Sequence, residues 1–418
     1  MDKRRVVVTG YGVLSCVGND VPTFWDSLVN GRCGIGPITR FDTSAYRTRI
    51  AGEIKNFDIG EYLSVKEARH MDLFTQYAVV AAEQALRCAG FSANAGEKRP
   101  DGDRFGCMVS SGVGGLATMQ KECLVLAERG PDRISPFLIP MMISDMAAGA
   151  VSIRFDLRGP NLGLVTACST GCHSVGEAFW AIKHDDADVM VAGGAEASIV
   201  PLGLAGFCAL KALSTRNDDP QHASRPFDLN RDGFVMSEGA GVLVLEELGH
   251  AVRRGAKILA EVVGYGATAD AYHITSPAPD GSGCARAMRM AMRHAGISPA
   301  DLDYINAHGT STSLNDKYET LAIKAAMGDA VGGISISSTK GATGHGLGAT
   351  GGFECIACVK SIETGIIPPT INYETPDPEC DLDVTPNVAR RREVRYAMNC
   401  NLGFGGHNGV MLFKKFEN

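Results

Sequence analysis

The chain has 418 residues, 45% of them hydrophobic, which is ample for two ordinary domains or one large duplicated unit. A formal net charge of −7 gives no basic footprint for nucleic acid, and the longest apolar run, residues 199–210, is broken by Pro201, Gly203 and Gly206 before it could cross a bilayer. Thirteen cysteines without regular spacing suit reduced thiols, and strand-like sequence begins by Arg5 with no room for a leading signal, so the expected compartment is the cytoplasm.

Val6 to Gly12 reads as a strand running into a Gly-Tyr-Gly turn, and Val21 to Asn30 as a helix. Residues 72–89 carry Leu73, Tyr77, Val80, Ala81 and Leu86 at helical spacing and end at Gly90. Strands are expected at Arg104–Val109 and Asp188–Ala192. Between them, Leu162 to Ala167 reads as a short buried strand that delivers Cys168 to the turn Ser169-Thr170-Gly171 and a helix from Ser174 to His184. The second half repeats these parts in order. Ala260 to Gly266 ends in the same Gly-Tyr-Gly, the helix 284–296 closes on Ala-Gly as the helix at 85–90 does, and strands at 302–306, 334–338 and 396–406 answer those of the first half. The echo implies a duplicated α/β protein with a boundary near Arg253 to Ala256 and a site where strand ends of both halves meet.

A thiol at a strand-to-helix turn faces unpaired N–H groups and the positive end of a helix, which favour thiolate, and this singles out Cys168 from the other cysteines. Two second-half loops place a histidine beside glycine just beyond a strand, His308 in Asn306–Thr312 and His345 in Thr339–Gly346. A thiol that takes an acyl group, with imidazole donors for a second thioester's carbonyl oxygen, is a set suited to thioester chemistry. His70, His184, His250 and His294 read as ordinary structural residues.

Together, T-A-C-S-T-G at 166–171, A-H-G-T-S-T at 307–312, S-T-K-G-A-T-G-H at 338–345 and G-F-G-G at 403–406 resemble the β-ketoacyl-[acyl-carrier-protein] synthases, the condensing enzymes of fatty-acid synthesis, and most of all their long-chain, type II members. The resemblance runs over essentially the whole chain. It implies a thiolase-like, five-layered αβαβα fold, with residues 1–254 forming a half that carries the nucleophile and 255–418 a half that carries both histidines. It also implies a homodimer, an acyl carrier protein as partner, no cofactor or metal, and decarboxylative condensation with malonyl-carrier protein. By matched position Cys168 accepts the acyl group and His308 and His345 bind the malonyl thioester carbonyl. Lys340 supports His345, Glu319 lies near that lysine, and Thr310 and Thr312 support the site. The N–H groups of Cys168 and Phe404 form an oxyanion hole. The Phe404 ring gates an acyl pocket shared with Val113 and Phe207, and Lys66, Arg69, Arg133 and Arg216 match the basic carrier-docking positions. His407, Leu402, Ser313 and Cys16 depart from the usual residues, and His70 replaces a cation in the docking patch.

Other readings are weighed on the same residues. Gly346–Gly351 fits G-x-G-x-x-G, but a long loop separates it from its strand and no acidic residue caps a second strand, so these glycines are read as permitting close helix packing. Cys355 and Cys358 have no second pair for zinc and read as core. A polyketide ketosynthase would use the same Cys-His-His chemistry. A thiolase would place a second cysteine near the C-terminus as base. A non-catalytic partner that sets chain length would lack Cys168.

Overall fold

In a computed structural model describing residues 4–94, 96–99 and 101–417, the chain is built on a nine-stranded sheet. Its strands are β1 (Val6–Leu14), β2 (Phe105–Ser110), β3 (Val189–Glu196), β4 (Gly239–Glu247), β5 (Ala260–Ala269), β6 (Tyr304–Asn306), β7 (Ser335–Ser337), β8 (Tyr396–Gly403) and β9 (His407–Lys414). They lie across the sheet in the order β2-β3-β4-β1-β5-β9-β8-β6-β7. The helices that matter for the site are α1 (Leu73–Cys88), α2 (Thr170–Lys183), α3 (Ser282–Ala295), α4 (Ser313–Met327), the short α5 (Lys340–Thr343) and α6 (Thr350–Thr364).

Outward from the β1–β5 seam, the two arms of the sheet repeat one pattern. The opening strand pairs antiparallel with β4 or β9, that strand pairs antiparallel with β3 or β8, and the next pairing, with β2 or β6, is parallel. Even the irregularity recurs, because the register slips just before Gly10 in β1 and just before Gly264 in β5. The sequence echo is therefore an echo of pairing.

Two expectations about local structure are corrected. Gly-Tyr-Gly is not a turn in either half; Gly10 and Gly12 lie within β1, and Gly264 and Gly266 within β5. They are glycine because helices press on them. A Cβ at Gly10 or Gly12 would collide with the carbonyl oxygens of Ala85 or Ala81 in α1, and one at Gly264 or Gly266 with those of Ala291 or Ala287 in α3. Residues 162–167 are not a buried strand. The position that β7 fills beside β6 is represented beside β2 by a single bridge between Asn161 and Cys107, and Leu162 and Val165 are 52% and 54% exposed. With one neighbour only, the segment is held by Leu162 N–H on the Cys107 carbonyl and Leu164 N–H on Ser110 Oγ, and no ladder forms.

Burial separates three large cores. One lies between α1 and the first-half strands and includes Phe74, Tyr77, Val109 and Val191. A second lies between α3, α4 and the second-half strands and includes Met288, Ile323 and Leu412. The third gathers α2 and α6 from the two halves with the other faces of both sets of strands, including Val175, Ile356, Met190 and Met411. Strands covered on both faces read as unbroken apolar runs, as Val189–Ala192 does. Among the described residues no helix is long and apolar enough to cross a membrane.

Candidate active site

Cys168 sits in a tight turn, Ala167–Ser169, that opens directly into α2, so the helix starts at Thr170 rather than Ser174. Ala167 holds a left-handed φ of 52° to make the turn. The second half builds the same elbow at Leu347–Ala349 before α6, with Leu347 at φ 48°, and Gly348 occupies the position that Cys168 has in the first. The two elbows press together through glycine. A Cβ at Gly351 would strike the backbone nitrogen of Cys172, and one at Gly171 would come within 2.8 Å of the Gly348 carbonyl oxygen. This is the close helix packing read from Gly346–Gly351. The turn does not leave the thiol ionised, however. Burial pushes Cys168 up to about 12, and Glu196 pushes in the same direction; Lys340 and the N–H groups of Phe404 and Cys168 pull it down without prevailing.

His308 follows β6, and its loop is fixed from beneath by Glu319 of α4. The carboxylate accepts the N–H of His308 at 2.6 Å and of Gly309 at 2.7 Å. Burial pushes Glu319 up to about 7. His345 follows β7 and α5; its N–H donates to the Val235 carbonyl at 2.7 Å and its Nδ1 lies 3.1 Å from Thr350 Oγ1. The two imidazoles stand nearly perpendicular, 5.2 Å between centroids. Burial and the Lys340 ammonium hold both well below the usual histidine range, so both rings are neutral at physiological pH.

Lys340 is placed differently from expectation. Its Nζ lies 3.4 Å from Nδ1 of His308, not on His345, and its ion-pair partner is Glu354 of α6. An ammonium only donates, so Nδ1 of His308 accepts and the ring proton resides on Nε2. Glu354 in turn accepts from Asn401 Nδ2 at 2.7 Å. Burial pushes this carboxyl up and Lys340 pulls it down.

Cys168, His308 and His345 open on one cavity of about 300 Å³, which Thr310, Thr312, Phe207 and Phe404 also line. Thr310 and Thr312 hydrogen-bond each other at 2.9 Å. Phe404 tops the hairpin from β8 to β9, which closes because Gly405 and Gly406 both take a left-handed φ, and Gly405 N–H ties it to the Ile274 carbonyl at 2.8 Å. Ser169, next to the thiol, donates to the His407 carbonyl at 2.9 Å. Val113 does not line this cavity and is 42% exposed. Of the basic positions, Lys66, Arg69 and Arg133 are exposed, and stacking of His70 on Phe137 at 4.1 Å brings their two segments side by side. Arg216 belongs to neither segment; it is half-buried, five residues beyond Lys211 at the cavity.

Sequence reasoning missed Glu354, Thr350, Asn401, Glu196 and Lys211. The first three lie in a helix and a strand that read as core, and nothing local marks a polar residue aimed inward. Lys211 alone carried a signal, since it comes just after an apolar helix, Pro201–Ala209. The histidines set aside as structural all have structural partners. His184 and His294 pack on Trp180, His70 stacks on Phe137, and His250 pairs with Asp101 and Glu246.

A buried thiol on an elbow, with two neutral imidazoles facing the same cavity, defines an acyltransferase of the condensing class. Comparison with known proteins agrees. Residues 3–251 match the N-terminal domain of Beta-ketoacyl synthase and residues 259–374 its C-terminal domain. The chain is 53% identical over 414 residues to a 3-oxoacyl-[acyl-carrier-protein] synthase 2 of Staphylococcus aureus, covering 99% of each, and 49% identical over 417 residues to the Synechocystis protein of the same name, covering 100% of this chain and 99% of that one. Among solved structures it resembles a β-ketoacyl synthase from Burkholderia phymatum with a TM-score of 0.92 and 34% identity, covering 99% and 100% of the two chains. It also resembles a type II polyketide ketosynthase solved in complex with its acyl-carrier protein, at a TM-score of 0.90, 36% identity and full coverage of both. The chain belongs to the β-ketoacyl synthase family. Within it, the chain is a 3-oxoacyl-[acyl-carrier-protein] synthase of type II, a condensing enzyme of fatty-acid elongation.

Proposed function

We propose that the chain carries out this elongation through Cys168, His308 and His345 as a decarboxylative Claisen condensation with malonyl-carrier protein. The observation that carries the assignment is the convergence of the Cys168 elbow and the two histidine loops on one cavity. The acyl thioester of a carrier protein exchanges with the Cys168 thiol, whose proton ends on the departing carrier sulfur, so a protonated resting thiol suits the reaction. His308 and His345 then donate Nε2–H to the malonyl thioester carbonyl, Thr350 holding the far side of His345 as Lys340 does that of His308. CO2 leaves, and the enolate oxygen meets two donors already in place, each typically worth roughly 3–4 kcal/mol. The enolate carbon attacks the acyl-Cys168 carbonyl, whose oxyanion takes the N–H groups of Cys168 and Phe404. Collapse breaks the C–S bond to Cys168, whose sulfur takes up a proton from solvent to restore the thiol, and the chain departs on its carrier two carbons longer.

The finer assignments follow the same reading. Phe404 gates, Phe207 lines the acyl pocket, and Thr310 and Thr312 bracket the malonyl arm. Lys66, Arg69 and Arg133 offer a basic surface for an acidic carrier, with Arg216 and Lys211 nearer the mouth. Three cores separated by two sets of strands support a five-layered arrangement whose halves are residues 1–254 and 255–418 about a pseudo-twofold axis. Leu162 and Val165 are apolar surface for the second copy in a homodimer. Thirteen free thiols fit a cytoplasmic enzyme. A polyketide role is the weaker reading, because identity falls from 53% with the 3-oxoacyl-[acyl-carrier-protein] synthase 2 of Staphylococcus aureus to 36% with the polyketide ketosynthase.

Intact mass tests the reaction. Wild type and Cys168→Ala are incubated with acyl-carrier proteins of increasing chain length, then with malonyl-carrier protein. An acyl adduct only where Cys168 is present, followed by release of a chain two carbons longer, is the expected result; a folded wild type that never acquires an adduct overturns it.

A further inference from the structure

The repeat of the two arms assigns each residue of one elbow a counterpart in the other. Cys168 corresponds to Gly348, and Gly403, paired with His407, corresponds to Glu196, paired with Gly239. In the first elbow the N–H groups of Cys168 and Phe404 face the thiol and are left for the reacting carbonyl. In the second elbow the matching N–H is taken. Gly348 donates to Glu196 Oε2 at 3.0 Å, and Gly112 donates to the same oxygen at 3.0 Å. Oε1 accepts from Ser111 Oγ at 2.7 Å and from Val113 N–H and Ser198 Oγ at 3.3 Å. Five donors converge on a fully buried side chain. Burial pushes its carboxyl up, and these donors, which an ionised carboxylate accepts in full, pull it back down.

We propose that Glu196 is a positioning residue for the Cys168 reaction, an internal carboxylate that fills the second elbow's anion hole and sets both the shape and the field beneath the nucleophile. The inference rests on the reading of Cys168 as the acyl acceptor. Shape follows from what the carboxylate ties together. It joins the Ser111–Val113 loop to the Leu347-Gly348 turn, Leu347 lines the cavity beside Cys168, and a Cβ at Gly112 would already lie 3.0 Å from the Ala167 carbonyl oxygen. Field follows from charge. The charged or titratable groups facing the thiol are Glu196, Lys340 and the two neutral imidazoles, and Glu196 is the one that disfavours the thiolate. An acyl-thioester carries no charge and escapes that penalty, so the carboxylate favours the acylated form over the free thiolate.

The test is the pH dependence of Cys168 alkylation by iodoacetamide, followed by peptide mass in the full chain, together with the condensation rate. Glu196→Gln is expected to move the alkylation midpoint down by about 0.5 unit or more. It also turns an amide NH2 toward donors and slows condensation about tenfold. Glu196→Asp keeps the charge and returns the midpoint to that of wild type. Should the Gln variant fold poorly, Glu196→Gly, the residue of the other arm, leaves a vacant hole, and added formate should raise its melting temperature and its alkylation midpoint more than it does for wild type. An unchanged midpoint in a folded Gln variant, an Asp variant displaced as far as Gln, or a Gly variant indifferent to formate overturns the proposal. Alkylation needs no carrier substrate, so the two failures are distinguishable. A wild type that alkylates normally yet never condenses overturns the reading of function and this proposal with it, whereas a wild type that condenses while the Glu196 variants show none of these shifts overturns this proposal alone.

Discussion

Lys340 and Glu354 form a buried pair whose value lies in what it does to His308. Burial and the ammonium keep that ring neutral, and the ammonium fixes its proton on Nε2, the state that the proposed mechanism needs for donation to an enolate without protonating its carbon. Lys340→Ala removes the fixing charge and leaves Glu354 buried without its counter-ion, a loss of about 3–5 kcal/mol in stability. The same variant should release CO2 from malonyl-carrier protein about a hundredfold more slowly while still accepting an acyl group on Cys168. Carbon dioxide release and intact mass, measured on one sample, separate the two half-reactions. Equal losses in both would show that the lysine serves the thiol rather than the histidine.

The pairing of helices with strands puts the largest local demand on glycine. At Gly264 an added methyl meets the Ala291 carbonyl oxygen, a backbone atom that cannot swing aside, so Gly264→Ala should cost about 3 kcal/mol or more. Gly206, in the helix Pro201–Ala209, has nothing within 4 Å of a Cβ, and Gly206→Ala should be neutral or stabilise by up to about 1 kcal/mol. Thermal melts of the two variants check both. The helix Leu248–Arg253 supplies a pH-dependent element. Hydrogen bonds to Asp101 and Glu246 raise His250 to about 9, so its contribution is complete below pH 6.5 and is lost as pH climbs through about 9. The melting temperature should fall across that window in wild type, and His250→Gln should flatten the fall.

At the scale of the molecule, the candidate reactive groups were legible wherever glycine-bounded loops placed them just beyond strands, which is why Cys168, His308 and His345 stood out, and one cavity collects them. Partners fixed only by tertiary packing were not. Glu354 lies fourteen residues beyond Lys340 in a helix that reads as apolar core, and nothing in its neighbourhood announces a carboxylate. Gly-Tyr-Gly was misread because glycine's commonest use is a turn, whereas here the need is close approach of a helix. Leu162–Ala167 was misread because an apolar run does not disclose whether it has one neighbouring strand or two.

Within the sheet the arms meet in three residue pairs, Val6 to Val8 against Ala260 to Val262, and the thiol stands on one side of that seam and both imidazoles on the other. On the proposed mechanism neither half would hold a working set. A chain folded in only one arm would carry a thiol that no histidine serves and would not consume malonyl thioesters, so turnover itself would report that folding is finished.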